Sequence, residues 1–314
     1  MKFKNIFNNM LTYCTLCPHR CRVDRSSGKK GFCGAGPDTI ISAIMPHYGE
    51  EPPISGTGGS GTIFFSYCNM RCSYCQNYQI SQDHEGFKIT IEDIAEKMLS
   101  LQECGVHNIN FVSPTIWLPH IVEAVHIARQ SGLDLPLIYN TGGYEDPKII
   151  KMLEGIIDIY MPDMRYSNPQ MARKYSSVKD YVIYNRESIK EMYRQVGNLE
   201  IDSKGIARKG LLIRLLVLPE DIAGIKDSLD FISSNFSNKV YLSIMAQYHP
   251  SYRALDFPEL SRSVSIEEYQ HVLEYAHNRG LEYGWSQDHE GLVSGKDRFI
   301  PDFKNKEVFR YHKK

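Results

Sequence analysis

Three cysteines on one short segment carry the clearest chemistry in this 314-residue sequence. Cys68, Cys72 and Cys75 have CxxxCxxC spacing and follow an apolar run at residues 62–67. A [4Fe–4S] cluster takes four ligands, so three thiolates leave one iron open, whereas a structural site fills all four positions. An open iron indicates catalysis. The alternative is a zinc or electron-transfer site that recruits another residue as its fourth ligand.

Four further cysteines lie nearer the start of the chain. Cys14, Cys17 and Cys21 have CxxCxxxC spacing, and Cys33 follows twelve residues later. Four thiolates are enough for a closed metal site, and both zinc and an auxiliary iron–sulfur cluster accept four cysteines. The spacing does not separate these two metals, and unmetallated core thiols remain a third interpretation.

The elements that position the cysteine triad read as repeated βα units. Short apolar runs predict six strands, at residues 62–67, 108–112, 135–139, 156–160, 211–218 and 240–245. Helical patterns predict helices at 90–103, near 118–129 and from 147, the first with Thr90 as N-cap and Asp93 in a capping-box position. Such an alternation predicts an α/β fold with a parallel sheet, either open or closed into a barrel. In both cases the chemistry belongs at the carboxyl ends of the strands.

The first 58 residues differ from the rest of the chain. They show no strong helical or strand period and contain the first cysteine group. We therefore predict a Cys-rich, zinc- or iron–sulfur-binding extension at residues 1–58 and a βα domain at residues 59–314.

The bulk composition argues against nucleic acid and membrane as partners. Lys and Arg total 36 against 37 Asp and Glu, a formal net charge of −1, which leaves no basic footprint for nucleic acid. No apolar run approaches membrane-spanning length, and the first residues lack a signal-peptide pattern. A cytoplasmic location is expected.

The CxxxCxxC motif, with the aromatic Tyr74 before its last cysteine and at the end of a first strand, resembles the radical S-adenosylmethionine (SAM) superfamily. Gln76-Asn77 and the strand ends at residues 139–144 and 160–165 are similar to the pyruvate formate-lyase-activating-enzyme-like branch, in particular its PflX-type iron–sulfur proteins. The likeness covers nearly the whole chain. It implies a partial (βα)6 barrel with SAM lying across the carboxyl edge of the strands.

The resemblance also implies an activity. SAM chelates the open iron, an electron donor such as flavodoxin or ferredoxin reduces the cluster, and SAM cleavage gives a 5′-deoxyadenosyl radical that removes hydrogen from a substrate. The activating-enzyme likeness implies a protein or peptide substrate, and oxidoreductase or lyase chemistry. Radical modification of a small molecule is an alternative, and a non-catalytic iron–sulfur or zinc protein is another.

The same resemblance places SAM contacts at the strand ends. Two departures from the branch matter: a Gly-Gly-Glu that holds the SAM amino group is replaced by residues 112–115, and Arg165 stands where a lysine is common. Arg165 suits the SAM carboxylate, but it can equally pair with Asp163 alone. The predicted SAM-binding residues are Tyr74, Ser113, Thr115, Asn140, Thr141, Asp163, Arg165 and Gln247.

One hexapeptide, Ser-Gln-Asp-His-Glu-Gly, occurs twice, at residues 81–86 and 286–291. The flanking sequences differ, so no repeat architecture is implied. Coincidence is the default interpretation. If both copies reach the same mouth, His84 and His289 line the substrate entry.

Overall fold

The computed structural model describes residues 9–287, 300–305 and 307–309. Within this part of the chain, ten strands form one sheet in the order β10-β9-β8-β6-β5-β4-β2-β1-β3, with β7 paired to β8. The strands are β1 Thr39–His47, β2 Ser60–Phe65, β3 Phe87–Ile89, β4 Ile109–Val112, β5 Leu137–Thr141, β6 Ile159–Pro162, β7 Glu200–Ile201, β8 Ala207–Leu216, β9 Tyr241–Met245 and β10 Gly284–Ser286.

The predicted parallel sheet is confirmed. The six predicted strands correspond to β2, β4, β5, β6, β8 and β9, and each pairs in parallel with its neighbour. β5 and β6 lie two to three residues further along the chain than predicted. The polar Asn140 continues the ladder opposite Val112 and Met161, because backbone pairing rather than side-chain polarity defines the strand.

Four described strands, β1, β3, β7 and β10, lie outside the six predicted runs. β1 falls within residues 1–58, where the sequence shows no strong strand period, and it pairs antiparallel with β2, for example Ile44 with Ile63. A register shift between Ile41 and Ala43 breaks the period of two on which sequence patterns depend. The proposed domain boundary at residue 58 stays a prediction.

Most of the connections between consecutive strands contain a helix. The capping box predicted from Thr90 and Asp93 is present, and Ser265 with Glu268 forms a second one. No described helix is both long enough and apolar enough to cross a membrane. The helices are Pro52–Ser55, Tyr78–Ser81, Ile91–Glu103, Leu118–Gln130, Pro147–Lys151, Pro169–Ser176, Tyr181–Val196, Ile225–Asn235 and Ile266–Asn278.

The short helix Pro52–Ser55 closes one end of the sheet's concave interior. Its Ile54 is fully buried and packs in one apolar cluster with Ile138, Ile159 and Leu212 from β5, β6 and β8. Ile138 and Ile159 lie near the amino ends of their strands. Apolar side chains therefore fill the interior at the amino end of the strands, and a ligand site can form at the carboxyl end.

Candidate cluster and cofactor site

The triad loop starts where β2 ends. All six residues of β2 are buried. The indole of Trp117 donates to the carbonyl of Ser66 (2.8 Å), and the amide of Ser73 donates to the carbonyl of Tyr175 (2.7 Å). The loop is thus tied both to the sheet and to the carboxyl end of the helix Pro169–Ser176.

The three thiols of the triad share a desolvated environment. Burial raises the pKa of Cys68 to about 12 and that of Cys75 to about 11, and the neighbouring thiol of Cys72 raises both further. Electrostatic coupling of this kind places the three sulfurs near one another. Bound iron reverses the effect of burial, because a coordinating thiol is deprotonated outright.

The donor set of the triad fits a four-iron cluster by the number and type of its ligands. In the described residues, no three His, Cys, Asp or Glu side chains surround one metal-ion position. Around one zinc, all sulfurs lie about 2.3 Å from the same centre. In a four-iron cluster each thiolate binds its own iron, so the sulfurs stand further apart. Three thiols on one anchored loop supply three of the four ligands that such a cluster takes.

A cavity of about 580 Å³ opens beside the triad, over the carboxyl ends of the parallel strands. This volume lies within the usual range for small-ligand sites. A larger and more open depression of about 720 Å³, between Ser167 and Glu259, has no cysteine in its lining. Residues that line the cavity beside the triad at or just after strand ends are Cys75, Val112, Ser113, Asn140, Thr141, Asp163, Arg165, Leu216, Met245 and Gln247.

Most of the predicted SAM-binding residues meet at this cavity. Its lining includes Tyr74, Ser113, Asn140, Thr141, Asp163, Arg165 and Gln247. Thr115 is not in the lining: it is buried in a short 3-10 helix after β4, and its hydroxyl donates to Glu145 (2.6 Å). The structure therefore brings Ser113 to the cavity and places Thr115 in a neighbouring buried network.

Asp163 and Arg165 pair with each other, as one of the two interpretations anticipated. The guanidinium Nη2 lies 2.5 Å from Asp163 Oδ2. The Nε of Arg165 is buried and makes no hydrogen bond within the described residues, although Arg165 lines the cavity. The ion pair thus leaves one charged donor available for a ligand carboxylate.

Sequence reasoning missed a charged group at the cavity floor. Arg214 lies 3.4 Å from Glu50 and 3.3 Å from Glu51, and Glu50 also accepts from Asn110 (2.9 Å). Glu50 and Arg214 both line the cavity. One signal was present, because an arginine inside the apolar run 211–218 must have a buried partner. No pattern pointed to Glu50 and Glu51, which lie in the aperiodic first segment.

The N-terminal cysteines lie close to the triad loop. Burial raises the pKa of Cys17, and the thiols of Cys33, Cys14 and Cys21 raise it further, so the four sulfurs are within electrostatic reach of one another. His19 Nε2 lies 2.9 Å from the carbonyl oxygen of Asn69 in the triad loop. The metal of this quartet stays a prediction.

The two copies of the duplicated hexapeptide lie in different surroundings. His84 stacks on Tyr67 with ring centroids 4.0 Å apart, and it lines a separate cavity of about 490 Å³ together with Cys33 and Cys68. Ser286 and Gln287 of the second copy line the main cavity. His289 lies outside the described residues.

Sequence comparison identifies related proteins. The family profile of the Radical SAM superfamily matches residues 62–232. The chain is 30% identical over 288 residues to the uncharacterized protein MJ0674 of Methanocaldococcus jannaschii. This alignment covers 89% of this chain and 77% of that protein. The chain is 22% identical over 285 residues to the uncharacterized protein MJ0808 of the same organism, covering 81% and 78%.

Solved structures share the fold at low sequence identity. The FeFe-hydrogenase maturase HydG from Carboxydothermus hydrogenoformans matches with a TM-score of 0.50 and 14% identity, over 73% of this chain and 53% of that one. The chain thus spans about half the length of HydG. Methylornithine synthase (PylB) matches with a TM-score of 0.50 and 18% identity, over 74% and 67%.

Proposed function

The chain belongs to the radical SAM superfamily, and on this basis we propose that it is an enzyme that cleaves SAM reductively at a [4Fe–4S] cluster held by Cys68, Cys72 and Cys75. The observation that carries the proposal is the placement of three coupled thiols beside a cavity lined by polar strand ends. When bound, the cluster and SAM supply a 5′-deoxyadenosyl radical that removes hydrogen from a substrate.

The cavity residues bind and orient the cofactor in this proposal. The free Nε of Arg165 donates to the SAM carboxylate, and Asn140, Thr141 and Gln247 offer polar groups to its ribose and amino-acid portions. Tyr74, which is buried beside the triad, packs at the adenine. Each of these roles is tested by substitution.

An apolar wall limits water at the reacting atoms. Phe64, Val112, Leu216 and Met245 line the same cavity as the polar groups. A radical generated in this cavity meets few water molecules, so it reacts with the substrate rather than with solvent. The protein thus contributes orientation and exclusion of water, while the difficult chemistry belongs to the cofactor.

A protein or peptide is the substrate we propose first, as for activating enzymes, because Gln76-Asn77 and the two strand ends at residues 139–144 and 160–165 resemble that branch. A small polar molecule is the second candidate. It is favoured by the cavity floor, where Glu50 and Arg214 face a space that Ile54 and its neighbours close from below. An experiment with a peptide partner distinguishes these two substrates. If a glycine of that partner acquires a radical only when the enzyme is present, the substrate is a peptide.

We also propose a second metal centre at Cys14, Cys17, Cys21 and Cys33, holding either zinc or an iron–sulfur cluster. The mutual electrostatic reach of the four thiols supports it. Four cysteines suit both metals, so elemental analysis decides between them.

The first test combines anaerobic quantification of iron, sulfide and zinc with measurement of 5′-deoxyadenosine. Wild type and a variant with Cys68, Cys72 and Cys75 all changed to Ala are compared, with dithionite or with reduced flavodoxin or ferredoxin as electron donor. We expect deoxyadenosine from wild type only. Metal retained by the triple variant then identifies the N-terminal centre.

Absence of deoxyadenosine from a wild-type protein with a full cluster would refute the proposed activity. It would favour a non-catalytic iron–sulfur or zinc protein instead. Deoxyadenosine at the wild-type rate from the triple variant would show that the cluster ligands lie elsewhere.

A further inference from the structure

We propose that two hydrogen-bond relays donate to the triad thiolates and set the reduction potential of the cluster. One relay ends at Ser176 and reaches Cys72, and the other ends at Ser81 and reaches Cys75. The inference rests on the cluster in the proposed function and deepens it by naming the residues that tune electron acceptance.

The first relay runs from Tyr166 through Ser176 to Cys72. The hydroxyl of Ser176 donates to the sulfur of Cys72 (3.0 Å), and the Tyr166 hydroxyl lies 2.7 Å from Ser176 Oγ. A metal-bound thiolate only accepts, so the single proton of Ser176 points to sulfur and Tyr166 must donate to Ser176. Both side chains are fully buried, so no water competes for these contacts.

The second relay runs from Gln82 through Ser81 to Cys75. Ser81 Oγ lies 3.2 Å from the sulfur of Cys75, and the Gln82 carboxamide donates to Ser81 Oγ (3.2 Å) and to the carbonyl of Met70 (3.1 Å). By the same reasoning, Ser81 donates its proton to the thiolate. Ser81 and Gln82, the two donors of this relay, both belong to the first copy of the duplicated hexapeptide.

Local structure holds Ser176 at the cluster loop. The helix Pro169–Ser176 begins with Asn168, whose side chain accepts from the amide of Gln170, and ends at Ser177 in the left-handed conformation (φ 59°). The amide of Arg71 donates to the carbonyl of Ser176 (3.1 Å). Helix end and loop thus move together, which keeps the hydroxyl on Cys72.

The sign of the effect follows from charge. Reduction adds one electron to the cluster and makes its sulfurs more negative, while no bond is formed or broken in the protein. Donors directed at these sulfurs stabilise the reduced form more than the oxidised form, especially in a low-dielectric interior. The relays therefore raise the potential and make reduction easier. Cys68 receives the weaker backbone donor Met70 N–H (3.4 Å).

The test is a redox titration followed by electron paramagnetic resonance, without SAM, on anaerobically reconstituted full-length protein. The signal followed is the one that disappears when Cys68, Cys72 and Cys75 are changed to Ala. In Ser176→Ala and in Ser81→Ala we expect the ratio of reduced to oxidised cluster at a fixed applied potential to fall about tenfold, or 59 mV for one electron.

Two further variants make the test specific. Tyr166→Phe leaves the Ser176 donor in place, so we expect a smaller shift in the same direction. Ser188→Ala removes another fully buried serine, which donates to the Asn185 carbonyl (3.0 Å) in a different helix, and we expect no shift.

Unchanged potentials in both serine variants at full iron content would overturn the inference, as would an equal shift in Ser188→Ala. If Ser176→Ala does not retain its cluster, Ser81→Ala and Tyr166→Phe decide. The titration uses no SAM, so a wild-type cluster that gives no deoxyadenosine refutes the proposed activity while leaving this result standing.

Discussion

Glu145 is a buried carboxyl group next to the proposed cofactor site. It is fully buried and accepts hydrogen bonds from Thr115 (2.6 Å), Tyr139 (3.1 Å) and Thr141, the last of which also lines the cavity. Burial raises its pKa to about 7, and the three hydroxyl donors offset only part of that effect. Glu145 therefore changes charge near neutral pH.

The first prediction concerns this titration. The raised pKa means that the folded state holds the proton between about pH 4.5 and 7, where the unfolded state has lost it. The stability contributed by the protonated group is complete below pH 4.5 and is lost as the pH rises through 7. Infrared spectroscopy is expected to show a protonated carboxyl band that disappears with a midpoint of about pH 7.

Glu145→Gln should lack this band, and Glu154→Gln, which alters a half-exposed glutamate, should keep it. A band with the ordinary midpoint of about 4.5 in wild type would contradict the prediction.

Residue types and spacing predicted the triad as cluster ligands, because ligand chemistry restricts which side chains can hold iron. They did not identify Glu50, whose role depends on Arg214, 164 positions away in the chain. A contact at that separation leaves no periodic trace in either segment.

At the scale of elements, the segment between β1 and β2 has a structural role that the sequence patterns did not predict. Its helix Pro52–Ser55 has only four residues, too few for a helical period, and its proline-rich sequence is typical of a loop. In the structure, Ile54 fills the space between β5, β6 and β8. This plug gives the cavity its floor.

The second prediction concerns this plug. Ile54→Ala removes a fully buried side chain and leaves a cavity, so we expect the free energy of unfolding to fall by about 2–5 kcal/mol. The midpoint of urea denaturation measures the change when the slope stays constant. The matched control is Ile183→Ala, because Ile183 is 69% exposed. Equal midpoints for the two variants would show that Ile54 does not support the fold.

Helix boundaries were more predictable than the plug. The helix that starts after Thr90 was predicted within one residue at its beginning, because its capping box is a local signal. β1 was missed because its bulge disrupts the alternation, and its stability comes from pairing with β2 rather than from its own sequence.

On the scale of the whole molecule, the segment that carries the N-terminal cysteine quartet packs against the triad loop. Phe32 stacks on His19 with ring centroids 3.8 Å apart, and the guanidinium of Arg71 lies over the Phe32 ring, 4.4 Å from its centroid. Arg71 also donates to the Phe32 carbonyl (2.9 Å). The quartet therefore supports one side of the triad loop.

The third prediction follows from this packing. Changing Cys14 and Cys17 together to Ser removes two ligands of the proposed second centre, and we expect it to loosen the segment that carries His19 and Phe32. We expect iron of the triad cluster to be lost severalfold faster in the presence of a chelator. The measurement is the absorbance decay of the cluster under anaerobic conditions.

Cys104→Ser is the control, since Cys104 is exposed and lies outside both groups. If the quartet variant loses iron at the rate of the control, the two centres are independent.

The sequence by itself determined the spacing of the cysteine triad, the parallel βα order and the edge of the sheet where the triad and the polar strand ends lie, because these follow from local spacing and from periods of apolar residues. Only the tertiary structure decided the floor of the cavity, the serine relays to the thiolates and the placement of Thr115 outside the site. Those features depend on contacts between residues far apart in the chain, such as Ser176 and Cys72, and such contacts are fixed by how the elements pack rather than by any one segment.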